Sequence, residues 1–306
     1  MIEPQQGATY ESQLRFAQHA EELGFEGFFR SDHFQRIGPG DPGVGPSDAW
    51  LTLAGIARET KSIRLGTMLS SSTFRLPGVL AVQVAQLDAM SDGRLEVGLG
   101  AGWYESEHTS YGIPFPSAPE RRQRWEEQLD ILTGIWATPP GETFTYRGSF
   151  YVLDGCPCLP RPIQEPHPPL IVGGKGPKRT PHIAAKYANE YNIAFDSLEN
   201  EAAQFERVRA ACQEMGRDPS SLALSVAVTT AAGENTSQVA SRIARIDDDR
   251  QRLEKGPGLV GTPAELQERI ALYEGMGVTR LYLQMKDLDD TDQLELIAKS
   301  VPIRSN

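Results

Sequence analysis

Phe16-Ala17-Gln18-His19-Ala20-Glu21-Glu22-Leu23-Gly24-Phe25-Glu26-Gly27-Phe28-Phe29-Arg30-Ser31 reads as a helix, a stop and a strand. Phe16, Ala20 and Leu23 fall on one helical face at spacings of four and three. Gly24 ends the helix, because the residue past a helix end favours positive φ and glycine tolerates it. The apolar, aromatic run Glu26–Ser31 then has strand character. The same joint recurs late in the chain. There Leu266, Ile270 and Tyr273 make the stripe, Gly277 stops it, and Val278–Leu283 follows. A helix over 199–215 likewise ends at Gly216, ahead of Leu222–Val228. Thr262-Pro263-Ala264-Glu265 supplies a helix start, with an N-cap Thr, Pro at the first helical position and a capping-box Glu.

Worked outward from these joints, the pattern predicts strands near 26–31, 63–70, 94–100, 169–173, 190–195, 222–230 and 278–285. Helices are predicted near 9–23, 47–60, 78–90, 119–136, 178–187, 199–215, 236–254, 262–276 and 289–299. Strands alternating with helices imply a parallel sheet covered on both faces. Seven strands call for an eighth to close an α/β fold of the (β/α)8 TIM-barrel type. Met1-Ile2-Glu3 is the candidate, a short first strand whose beginning is missing; either the strand is curtailed or the count from Met1 is several residues short. The expected organisation is a single barrel over 1–306, with insertions near 137–169 and 231–260 that roof the pocket; the first is Pro-rich and has room for a hairpin around 143–152.

Composition narrows the function. The 306 residues are 39% hydrophobic and 23% charged, enough for one large core and too apolar for a disordered chain. No apolar run approaches the roughly 20 residues of a membrane span. The N-terminus has neither the basic start nor the apolar stretch of a secretory leader. A net charge of −11 argues against a nucleic-acid partner. Cys156, Cys158 and Cys212 are too few for a disulfide scaffold. The expectation is a cytoplasmic protein with a small-molecule partner.

Reactive residues of such a barrel lie just beyond the C-terminal ends of its strands, which selects four places. Ser31-Asp32-His33-Phe34 follows the second strand; His33 can carry a proton near neutral pH and an adjacent carboxylate, Asp32, can position it. Met68-Leu69-Ser70-Ser71-Ser72-Thr73 offers four consecutive hydroxyls, as ligand donors or as an ordinary turn. Gly98-Leu99-Gly100-Ala101-Gly102 lets backbone approach a flat or charged ligand, although a lone G-x-G-x-G is weak evidence. Glu105, Glu107 and His108, next along, lack convincing metal-ligand geometry and read as a solvated helix start; no metal is expected. Fourth, Gly173-Gly174-Lys175-Gly176-Pro177-Lys178-Arg179 is a glycine loop entering a helix, a natural anion site. Residues 175–186 hold four Lys/Arg and no Asp or Glu, a local reversal of sign that suggests a phosphate-bearing ligand. Cys156-Pro157-Cys158 reads as structural, and Asp287, Asp289, Asp290 and Asp292 as a solvated cap on the last helix.

In this order the four places resemble the luciferase-like flavin and deazaflavin oxidoreductases, and specifically their coenzyme F420-dependent branch. The stretches that carry the resemblance are 20–25 leading to Ser31-Asp32-His33-Phe34, Ile63-Arg64-Leu65-Gly66-Thr67, Asp92–Trp103 and Ile171–Gly176. The resemblance implies a (β/α)8 barrel with the cofactor ring at its mouth, and a non-proline cis peptide, here Met68–Leu69, against the back of the ring. It implies that Ser70 and Ser71 line the ring, with Ser71 bonding its polar edge, and that His33, beside Asp32, is the acid/base. Gly100, Ala101 and Gly102 would lie along the ribityl side. Gly173, Gly174, Lys175 and Gly176 would hold the phosphate, while Lys175, Lys178 and Arg179 suit the glutamate tail of F420. FMN is the alternative cofactor, in a two-component monooxygenase fed by a flavin reductase. A non-catalytic flavin- or F420-binding protein and a metal hydrolase built on Glu105, Glu107 and His108 are alternatives of other classes. The family also implies a homodimer.

Overall fold

Residues 1–246 and 258–301 are described by the structure, a computed structural model. Strands β1 (Gly27–Arg30), β2 (Arg64–Thr67), β4 (Leu95–Gly100), β7 (Leu170–Gly173), β8 (Glu190–Ala194), β9 (Ala223–Ala232) and β11 (Arg280–Gln284) lie side by side, all parallel. The two-residue strand β3 (Ser70–Ser71) pairs with the upper end of β4. Helices α1 (Tyr10–Glu22), α2 (Ala49–Glu59), α3 (Pro77–Met90), α5 (Ala118–Ala137), α6 (Arg179–Tyr187), α7 (Leu198–Glu214), α9 (Pro263–Gly275) and α10 (Thr291–Ser300) cover the outside of the curled sheet. The expected α/β barrel rhythm is therefore present.

Closure rests on one residue. Ile2 bridges Arg30 on one side and Met285 on the other. Its N–H donates to Phe29 O at 2.9 Å, its carbonyl accepts from Ser31 N at 3.1 Å, and Met285 N donates to Met1 O at 3.0 Å. The short first strand thus closes the ring at the mouth. Toward the floor β1 and β11 are not paired, and a cavity of about 540 Å³ lies between them, lined by Phe16, Phe28, Tyr273, Leu281 and Ile297 among others. Arg280 on β11 spans this seam, pairing with Glu26 ahead of β1 as well as with Glu96 and Glu190 inside the barrel. The buried residues of the barrel wall lose dispersion contacts at such a gap, so the seam is the weak side of the fold.

The motif residues explain themselves locally. Glu21 at the end of α1 accepts from the amides of Lys61, Ser62 and Ile63 and so fixes the entry to β2. Burial opposes its charge, yet these amide bonds hold its carboxyl below the usual range. Asp92 and Gly93 both adopt positive φ, and the buried Arg94 that follows donates to the carbonyls of Ala57, Thr60, Ile63 and Ser91. A single guanidinium thereby satisfies the C-terminal end of α2. Thr262 and Glu265 form the capping box predicted for α9.

The Pro-rich insertion carries an antiparallel hairpin, β5 (Phe144–Arg147) with β6 (Val152–Cys156). Asp88 anchors its return by accepting from the amides of Ile163 and Gln164 at 2.8 and 2.9 Å. Cys158 is buried and its thiol donates to Cys156 O at 3.3 Å. In the second insertion, α8 (Thr236–Arg245) matches the first part of the helix predicted over 236–254; positions 247–254 lie outside the described residues. A further strand, β10 (Leu259–Gly261), extends the end of β9 and was not read from the sequence. Asp290 corrects the reading of the acidic run: it caps α10, but it is buried and paired with Arg242 and Arg245. No helix among the described residues is long and apolar enough to cross a membrane.

Candidate active site

All four predicted places meet at the mouth end of the strands. β1 delivers Ser31-Asp32-His33-Phe34, and β2 leads into the cis peptide Met68–Leu69 and β3. β4 ends at Gly100 and passes through Ala101-Gly102-Trp103-Tyr104 into a short helix, α4 (Glu105–Ser110). β7 ends at Gly173 and its loop enters α6.

His33 is held by Glu107. Nδ1 lies 2.9 Å from Glu107 Oε1, and the other carboxylate oxygen accepts from Phe34 N at 2.8 Å. A carboxylate only accepts, so Nδ1 carries the proton and Nε2 is the atom free to exchange one. Nε2 has no hydrogen-bond partner among the described residues, and the ring keeps some exposure, 15%. Trp103 and Tyr104 stand edge-on to the ring at 5.9 and 6.3 Å, limiting its rotation. Burial works against an imidazolium here, but the hydrogen bond and charge of Glu107, helped by Glu3 and Asp32, hold the His33 pKa above its ordinary value.

Asp32 does not position His33. Its carboxylate accepts from Ser70 Oγ at 2.5 Å and pairs with Arg75, which also holds Asp48. Asp32 and Ser70 are both buried, so this pair fastens β1 to the loop after β2. Glu107 takes the role expected of Asp32. It and His108, expected on a solvated helix start, are instead fully buried at 1% and 0% exposure.

Three hydroxyls of the serine stretch have distinct fates. Ser70 serves Asp32, Ser71 Oγ lies 2.6 Å from Thr73 Oγ1, and Ser72 Oγ is buried with no partner among the described residues. The glycines between these loops are required by close neighbours. A Cβ on Gly98 would fall 2.0 Å from Thr67 O, and one on Gly173 would fall 2.6 Å from the Leu69 side chain. Leu69 therefore occupies the room that Gly98, Gly100 and Gly173 leave open, which assigns those glycines a packing role. Gly102 adopts φ +78, and a Cβ there would sit 2.3 Å from Ser71 Oγ. Met68 is buried beneath, packed with Phe29, Ile171 and Tyr282.

The anion loop is drawn back by its carbonyls. Tyr191 OH donates to Gly174 O at 2.6 Å and Gln204 Nε2 to Gly176 O at 2.9 Å. The amides of Lys175, Gly176, Lys178 and Arg179 find no acceptor among the described residues, and the N-cap of α6 has no side-chain hydrogen bond. Such a loop fits a phosphate. The basic segment is less free than its composition implies. Lys175 pairs with Asp196, Arg179 with Glu126 and Lys186 with Asp130, which leaves Lys178 without an ion pair among the described residues. Taken together, a histidine with a free Nε2, a hydroxyl-rich loop whose Ser72 Oγ has no partner among the described residues, and an uncapped glycine loop fit a flavin-type cofactor.

Among the described residues, no group of three His, Cys, Asp or Glu side chains is arranged to hold a metal.

Comparison with known proteins agrees with this reading. The family model of luciferase-like monooxygenases matches residues 2–253, and the chain belongs to that family. The F420-dependent glucose-6-phosphate dehydrogenase of Microbacterium testaceum (strain StLB037) is 37% identical over 179 residues, 58% of this chain and 51% of that protein. The FMNH(2)-dependent dimethylsulfone monooxygenase of Pseudomonas putida is 31% identical over 134 residues, 44% of this chain and 36% of that protein. The chain spans about half the length or less of these curated relatives. The monooxygenase RslO1 from Streptomyces bottropensis superposes with a TM-score of 0.79 at 25% identity, covering 95% of this chain and 92% of its own. An F420-dependent secondary alcohol dehydrogenase, solved with an F420–acetone adduct, shares the fold with a TM-score of 0.85 at 19% identity, covering 100% and 99%. Relatives thus include both F420- and FMN-dependent oxidoreductases.

Proposed function

We propose that this protein is a coenzyme F420-dependent oxidoreductase acting on a small organic substrate, with His33 as acid/base. A bound deazaflavin would supply hydride chemistry at its C5 toward a substrate carbon. The protein's own part is to place and move the accompanying proton. The observation that carries the reading is the His33–Glu107 pair at the strand ends. Its Nδ1 side is locked on a buried carboxylate, so the proton transfers at Nε2. As Nε2 gains a proton, the imidazolium is neutralised by Glu107 without further rearrangement. Ser71 faces the polar edge of the ring in this reading, the Gly173–Gly176 loop and the start of α6 hold the phosphate, and Lys178 is available to the anionic tail. The 37% identity to an F420-dependent dehydrogenase supports the choice of cofactor.

The second reading, an FMN-dependent monooxygenase supplied by a flavin reductase, is favoured by one observation. Three of the four basic side chains of 175–186 are already paired with carboxylates, which suits a ligand that ends in its phosphate. Either reading fits a cytoplasmic protein with three unpaired thiols. A homodimer is part of the proposal. Leu76, Val79 and Val82 on and before α3 are exposed apolar side chains, as is Leu51 of α2, and they suit a face covered by a second copy.

His33→Ala tests the assignment. Turnover should fall at least about 100-fold while cofactor affinity stays within a few-fold. Wild-type turnover would remove His33 from the chemistry, and a wild-type protein that binds cofactor but turns nothing over would favour a cofactor carrier.

A further inference from the structure

His108 and Thr73 lie outside the acid/base pair, yet they connect to the mouth through one line of hydrogen bonds. His108 Nδ1 is 2.7 Å from the carbonyl of Tyr104, and its Nε2 is 2.6 Å from Thr73 Oγ1. Thr73 Oγ1 is in turn 2.6 Å from Ser71 Oγ. The direction of every proton in this line follows from its far end. A carbonyl cannot donate, so Nδ1 carries a proton, and with a single proton on the ring Nε2 offers a lone pair. Thr73 must then donate to His108, which leaves its oxygen to accept from Ser71. The Ser71 proton is committed inward, and what Ser71 offers outward is a lone pair.

We infer that His108, acting through Thr73, is a positioning residue that makes Ser71 a fixed hydrogen-bond acceptor, and that it selects a ligand N–H over a ligand carbonyl at that point of the mouth. The inference rests on the proposed reading that Ser71 faces the polar edge of a flavin or 5-deazaflavin ring. That edge presents a single imide N–H, at N3, between two carbonyls. Either carbonyl would meet the Ser71 lone pair unfavourably, so the relay sets the ring with N3–H on Ser71. The surroundings keep the relay dry and singular. His108 is fully buried against Phe74 and Phe115, with ring centroids 5.1 and 4.6 Å away. Gly102 keeps a side chain off Ser71; a Cβ there would fall 2.3 Å from the hydroxyl. The consecutive residues Glu107 and His108 of α4 thus serve two different parts of the site, one orienting His33 and the other Ser71.

Fluorescence titration with FMN and 3-methyl-FMN, and with 8-hydroxy-5-deazariboflavin and its 3-methyl derivative, tests this. The methyl group removes the N–H and adds bulk, so its penalty is compared between variants. In Thr73→Val the Ser71 hydroxyl is released and can donate outward, and the penalty should shrink by about five- to tenfold. Thr73→Ser keeps the relay and should retain the wild-type penalty within about twofold. An unchanged penalty in Thr73→Val, or an equal fall in Thr73→Ser, overturns the inference. Long-range ¹H–¹⁵N correlation of the wild-type protein reads the relay without any variant. A bare Nε2 on His108 is expected, and a protonated Nε2 with a bare Nδ1 overturns it. If the wild type binds none of the four ligands, the cofactor reading fails and the inference with it; binding with an unaltered penalty defeats the inference alone.

Discussion

Glu107→Gln keeps the shape of a buried side chain and removes its charge. The amide oxygen can still accept from Phe34 N, but its NH2 then faces His33 Nδ1, which must give up its proton and move it to Nε2. The mouth nitrogen becomes a donor, and the charge partner of an imidazolium is gone. A buried hydrogen bond to a charged group contributes about 1.5–3 kcal/mol. The wild-type His33 pKa lies above its ordinary value, because Glu107, with Glu3 and Asp32, outweighs the effect of burial. The stabilisation from this pair is therefore complete below the unfolded pKa of about 6.5 and fades as pH rises through the folded value. Urea unfolding at about pH 5.5 should show Glu107→Gln less stable by about 1.5–3 kcal/mol. Near pH 9 the loss should be much smaller, since the variant no longer buries a carboxylate beside a neutral ring. The His33 titration followed by NMR should move to lower pH, and so should the acidic limb of the turnover profile. An unmoved His33 midpoint, or a stability loss independent of pH, would refute the assignment of Glu107 as the partner of His33.

Three further outcomes follow from the same structure. Gly98→Ala would place a Cβ 2.0 Å from Thr67 O, and overpacking of a buried strand should lower stability by about 1–3 kcal/mol or prevent folding; a wild-type melting curve would contradict the close packing of β2, β4 and Leu69. Glu201 on α7 is buried, neither carboxyl oxygen has a hydrogen-bond partner among the described residues, and burial pushes its pKa up to about 8. A raised carboxyl pKa means that this group destabilises the fold progressively as pH climbs from about 4.3 to about 8, so Glu201→Gln should be more stable at pH 8 by up to a few kcal/mol and nearly neutral at about pH 4; equal stability at both ends would show that Glu201 is solvated or paired. Val79→Glu, at a site 55% exposed, should convert a dimer to a monomer in light scattering with little change in secondary structure, and a persisting dimer would move the interface off α2 and α3.

What the sequence made legible was local. The helix–glycine–strand joints, the capping box at Thr262 and the glycine loop at Gly173 each depend on a few neighbouring residues, and each is present where the pattern put it. Even the short first strand could be read, from Met1-Ile2-Glu3 ahead of the first helix, because an eighth strand is required to close the barrel. The partner of His33 could not. Glu107 is 74 residues away, and its stretch, Glu105-Ser106-Glu107-His108, is polar enough to read as solvent-facing. Only the fall of the loop after β4 onto the end of β1 buries it. Asp32 misled for the complementary reason: adjacency in the chain points consecutive side chains of an extended segment in opposite directions, and Asp32 turns inward to Ser70 and Arg75. The basic segment was read without its acids because Glu126, Asp130 and Asp196 come from other elements. A signal for Glu107 did exist in the four-residue stretch itself, since three ionisable residues following a barrel strand are placed where chemistry occurs.

On the proposed reading this mouth holds a deazaflavin, and His33 moves the proton that accompanies the hydride. Parallel fluorescence titrations of the purified protein with coenzyme F420 and with FMN test it most directly. Saturable binding of F420 is expected, clearly tighter than that of FMN and weakened by Lys178→Ala, since Lys178 has no ion pair among the described residues. Tight binding of FMN with none of F420 would contradict it and hand the site to a flavin monooxygenase.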